Sequence, residues 1–176
     1  DPYGTLGTDK TRSMYRPIGI NRNCQLAVLQ IRPYVPQSHR GVQWMSFGSN
    51  PFNALVPFFT NVREAPEYLA NTTARVSTDS FYWANRLIAA LADARFRDNE
   101  NAIDRYREKV GAFGHKLIHE TDEALACCPE EDVQAVLAAA NLRMADYLRE
   151  QTDALLSKVL YTTSLAMKNH FAMSDN

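Results

Sequence analysis

Three cysteines and four histidines carry most of the reactive chemistry available to this chain. Cys24 stands near the start of an apolar run, INRNCQLAVLQIRP, residues 20–33. A cysteine nucleophile needs a base, usually histidine, and surroundings that favour the thiolate. His39, His115, His119 and His170 have no catalytic spacing from Cys24. A cysteine at the edge of an apolar strand serves equally well as a small core residue. His115 and His119 are four apart on a predicted helix, so their rings share a face, with Glu120 beside them. That spacing suits a metal, yet HKLIHE is not the HExxH order and no third ligand is evident. A solvated face with Asp122 and Glu123 accounts for the pair. Cys127 and Cys128 lack CxxC spacing, so no metal site is expected.

Other groups have two readings each. Tyr82, Trp83 and Arg86 fall on one helical turn and could form a stacked aromatic–guanidinium corner or pack one element on another. FGSNPFNAL has the small and amide residues of a pocket, and a tight turn explains Gly48, Ser49 and Asn50 as well. The most suggestive polar set is Arg16, Asn21, Arg22, Gln30 and Arg32, gathered about one strand. Buried guanidinium and amide groups need partners. They could bind a carboxylate, for which arginine is geometrically suited, or tie the strand to a part of the protein outside this chain.

The elements that must position these groups divide the chain in two. Up to about residue 60 the pattern is strands and turns: CQLAVLQIR, GVQWMSFGS and ALVPFFT. The first is so continuously apolar that both its faces are expected to be covered. PYVPQSHRG has the composition of a hairpin connection, and Pro51 and Pro57 restrict the third segment to a short or edge strand. Residues 61–76 read as a loop. A helix follows, with Ser77, Thr78 and Asp79 as candidate caps and Phe81, Ala84, Leu87, Ile88 and Leu91 facing inward. A second helix is predicted over about 102–127, where Gly111 and Gly114 either weaken it or admit another backbone. Pro129 and the acids 130–132 suit the start of a third, running towards His170 with possible breaks at Asn141 or Thr152.

A few mostly buried strands followed by long helices is an α+β arrangement. Residues 1–76 form the strand-rich segment and 77–176 the helical region packed on it, within one domain or part of a larger one. The 176 residues are 45% hydrophobic and carry a net charge of −1, which gives no electrostatic reason to expect nucleic acid or an anionic membrane. No apolar run approaches the ~18 residues of a membrane helix. An odd number of cysteines, two of them adjacent, suits a reducing cytoplasm better than a disulfide framework. The chain opens on Asp1 and a polar, turn-rich stretch, which suits a processed chain or a segment of a longer protein, the second being the expectation here.

YRPIGINRNCQLAVLQIRPYVPQSHRGVQWMSFGSNPFNALVPFFTNV, continued by TDSFYWANRL, resembles the C-terminal half of the C69 (formerly U34) dipeptidases, a family of N-terminal-nucleophile hydrolases. Residues 15–17, 30–33, 41–44, 56–58 and 82–83 carry the match. The resemblance implies an αββα sandwich to which these strands belong, and hydrolysis of dipeptides without metal or organic cofactor. It also implies a cysteine nucleophile at the mature N-terminus whose own α-amino group is the base, a role its near-neutral pKa allows. No cysteine lies near Asp1, so the nucleophile is expected upstream and the chain alone is expected to be inactive. The expected partners are the dipeptide, the remainder of the dipeptidase chain and, in a homo-oligomer, further copies of the protein. Arg16, Asn21, Arg22 and Gln30 are the candidates for binding or orienting substrate. The competing reading is a non-catalytic helical interaction or oligomerisation module.

Overall fold

The computed structural model describes residues 23–48 and 51–167. Three antiparallel strands, β1 (Gln25–Ile31), β2 (Gly41–Phe47) and β3 (Val56–Phe59), form one sheet in sequence order. β1 and β2 make a hairpin registered from Gln25 opposite Phe47 to Ile31 opposite Gly41. Its connection holds a single 3-10 turn, Gln37–His39. β3 pairs with β2 from Val42 opposite Phe59 to Met45 opposite Val56. Because directly paired residues share a face, Leu26, Val28, Trp44, Ser46 and Pro57 lie on one side of the sheet. Leu29, Met45, Val56 and Phe58 lie on the other.

A short helix, α1 (Glu67–Ala70), interrupts the segment that reads as a loop, and three long helices follow: α2 (Phe81–Asp93), α3 (Phe96–Leu125) and α4 (Val133–Leu165). α2 begins later than its predicted caps. Ser80 is its N-cap residue, while the Ser77 hydroxyl receives the Asp79 amide in a turn before it. The buried stripe of α2 is Phe81, Ala84, Asn85, Ile88, Ala89 and Ala92, with Leu87 and Leu91 only half-buried, so the stripe is rotated by about one residue from the predicted one. Small residues face inward because α2 is pressed closely against the molecule: a Cβ at Gly48 would stand 3.1 Å from Asn85 Cβ. Gly48 also has φ +83°, a backbone conformation that glycine tolerates best.

α3 and α4 are the main helical pair. Ile103, Tyr106, Val110 and Leu117 of α3 meet Leu137, Met144, Leu148, Leu155 and Val159 of α4 in the core. Tyr106 Oη and Thr152 Oγ1 lie 3.0 Å apart inside that interface. The predicted breaks in α4 are absent, because both polar residues have partners compatible with a helix. Thr152 bonds back to the Leu148 carbonyl at 2.7 Å. Asn141 leaves the helix sideways, accepting from Phe59 N at 2.9 Å and donating to Phe59 O at 3.0 Å. Its amide thereby satisfies the main-chain N–H and C=O of Phe59 at the outer edge of β3.

Gly114 explains how α3 reaches the sheet. A Cβ there would lie 2.7 Å from the Pro57 ring, a separation no side chain tolerates, so the glycine is what lets the helix rest on β3. Gly111, one turn earlier, has nothing within 4 Å of its Cβ position and faces open space.

The expected covering of the first strand fails as well. β1 is not covered on both faces: Val28 is 49% exposed, Leu29 74% and Ile31 76%. β3, by contrast, is buried at all four positions. The helices stack over the β2–β3 side of the sheet, and β1, at the opposite edge, has β2 as its only strand neighbour among the described residues.

Candidate functional site

Of the polar set expected near the first strand, Arg16, Asn21 and Arg22 lie outside the described residues. Gln30 and Arg32 are both placed, and each is engaged. Gln30 Oε1 accepts the Trp44 indole N–H at 2.8 Å, a diagonal contact across the hairpin that orients the ring. Arg32 is 1% exposed. Its Nη1 donates to Asp122 of α3, its Nη2 to the His39 carbonyl, and its guanidinium lies 5.5 Å from the Phe59 ring centroid. The hairpin is thus pinned to α3 by one buried cation. The sequence suggests a tie that reaches a part of the protein outside this chain; here it closes within the chain, on α3.

The same corner brings the adjacent Ser38 and His39 to Asp122, distant in sequence, a grouping that sequence spacing did not reveal. Ser38 Oγ is 3.2 Å from His39 Nδ1, and His39 Nε2 is 3.9 Å from Asp122 Oδ1. A hydrolytic triad requires the carboxylate to hydrogen-bond the imidazole, and 3.9 Å is too long for that. The other Asp122 oxygen is taken by Arg32. Burial, the largest influence, lowers the His39 pKa; Asp122 raises it and Arg32 lowers it further. The group is a packed anchor, with Asp122 serving Arg32 first.

Cys24 is exposed, and the Tyr82 hydroxyl approaches its sulfur at 4.0 Å. Burial pushes the Tyr82 phenol up, and the Cys24 contact adds to the shift. Cys127 is exposed, and the Cys128 thiol lies 3.4 Å from the Pro129 carbonyl. His115 and His119 part company: His115 packs on Trp44 with ring centroids 4.8 Å apart, and His119 pairs with Glu123 at 3.3 Å. Among the described residues no group of three or more His, Cys, Asp or Glu side chains is arranged to hold a metal ion. Tyr82 and Trp83 meet edge to face, and the Trp83 indole donates to the Thr73 carbonyl at 2.7 Å, fixing the loop before α2.

Two clefts flank the sheet. On the face carrying Met45 and Phe58, a groove of about 410 Å³ runs between the strands and residues 62–69, with Phe47, Val62 and Leu69 in its walls and Arg63 and Glu64 at its rim. The exposed side chain of Leu29 continues that apolar face across β1. On the helix-facing side, a second cleft of about 430 Å³ opens between β2 and α3. Among the described residues no helix is long and apolar enough to cross a membrane.

A three-stranded antiparallel sheet with helices stacked on one part of it, and an apolar strand left open at its edge, is an α+β arrangement. The model of peptidase family C69 matches residues 1–109, and the chain belongs to that family. It is 50% identical, along 99% of its length, to a protein named dipeptidase from Bifidobacterium longum. It is 46% identical, again along 99% of its length, to a probable dipeptidase A from Streptococcus pyogenes. A dipeptidase A from Lactobacillus helveticus is 39% identical over 91% of the chain. The chain spans 40%, 37% and 34% of the lengths of these three relatives.

Proposed function

We propose that this chain is the C-terminal portion of a dipeptidase of the cysteine, N-terminal-nucleophile type, acting on dipeptides. The observation that carries the reading is the identity, sustained along 99% of the chain, to relatives named dipeptidase. On this reading the nucleophilic cysteine and its α-amino base lie outside residues 1–176, and this chain by itself does not turn over substrate. One feature of the fold supports that division. β1 presents Leu26, Val28, Leu29 and Ile31 to solvent on both its faces, a pattern suited to a strand covered by more protein.

Residues 1–76 then complete a larger sheet, the helices of 77–176 form the layer packed on it, and the remainder of the dipeptidase covers β1. Arg16, Asn21 and Arg22 are the polar groups of this segment assigned to substrate or nucleophile positioning, and Gln30 acts by holding Trp44.

The test uses the intact gene product. It hydrolyses dipeptides, a thiol-alkylating reagent stops it, and the labelled cysteine maps outside residues 1–176, while Cys24→Ala retains kcat/KM. Absence of dipeptide hydrolysis, or its loss in Cys24→Ala, would overturn the reading. Separate Arg16→Ala and Arg22→Ala variants with unchanged kcat/KM would remove those two residues from the positioning role.

A further inference from the structure

We draw no further inference here: the strongest candidate, the apolar groove of about 410 Å³ between the Met45 and Phe58 face of the sheet and residues 62–69, carries nothing beyond the proposed function, because nothing in the structure shows what covers it and the one occupant its position argues for, the remainder of the dipeptidase chain, is already assigned there.

Discussion

β1 and β3 are the two edges of one sheet, and both are apolar, yet they meet opposite fates. β3 is buried at every residue, covered by α3 through the gap at Gly114 and bonded at Phe59 on its edge by Asn141. β1 has the longer apolar run and is exposed nearly throughout. Apolar composition states that a strand needs a cover; it does not state where the cover comes from. For β3 the cover is the helical layer of the same chain. For β1 it is the remainder of the protein, on the reading proposed above.

The broadest way to break this comparison is to truncate one large side chain on each strand. Phe59→Ala removes a ring that is 4% exposed and should cost about 4 kcal/mol in denaturant unfolding, through lost burial and the cavity left behind. Leu29→Ala, at a position 74% exposed, should change the stability of the 176-residue chain by less than about 0.5 kcal/mol. In the intact gene product the second number should rise to about 3 kcal/mol, because there β1 is proposed to be buried. A near-zero cost for Leu29→Ala in both proteins would remove the asymmetry between free and covered β1.

The edge of β3 can be opened separately. Asn141→Ala deletes an amide that both accepts from and donates to the Phe59 backbone, leaving two buried main-chain groups unpaired. The expected loss is about 3 kcal/mol, measured by the urea midpoint, since each orphaned group costs roughly 1–3 kcal/mol. An Asn141→Ala variant as stable as the parent would show that water replaces the side chain and that β3 does not depend on α4 for its edge.

That residue also marks the limit of what the sequence discloses. The α+β class, the hairpin, the restricted third strand and the helical second half follow from periodicity and from proline and glycine placement, all local signals. Asn141 and Thr152 looked like breaks because local pattern counts a polar residue in an apolar stripe as an interruption. In the fold each is a helix residue with a specific partner, one of them 82 residues away. The exposure of β1 was illegible for the same reason, since it depends on long-range packing. Arg32 was legible as a buried cation in need of a partner, but nothing in the spacing pointed to Asp122, 90 residues on. The cleft between β2 and α3 has no sequence signature at all.

The two glycines of α3 sharpen the contrast between covered and open parts of the sheet on a single helix. Gly114→Ala would drive a methyl group to within 2.7 Å of Pro57 and should destabilise by about 2 kcal/mol, as overpacking does. Gly111→Ala meets open space and should stabilise by about 0.8 kcal/mol, the ordinary helix-propensity gain. Thermal melts of the pair should therefore move in opposite directions. Equal shifts would mean that α3 stands off β3 by more than the contact at Pro57 indicates.

The smallest effect concerns how β1 stays attached to the helices while its faces are open. The hairpin is held by Arg32, Asp122 and His39, and a histidine is the side chain whose charge changes near neutral pH. Burial holds the folded His39 pKa below the ordinary 6.5, Asp122 opposing and Arg32 reinforcing the shift. As pH falls through 6.5 the unfolded chain therefore takes up a proton that the folded chain still refuses, and stability declines with falling pH. The decline ends once the folded imidazole is protonated as well. Urea midpoints between about pH 5 and pH 8 should show this slope, and His39→Gln should flatten it while leaving the Arg32–Asp122 bond in place. A slope that survives His39→Gln would place the titration in other groups and leave the anchor insensitive to pH.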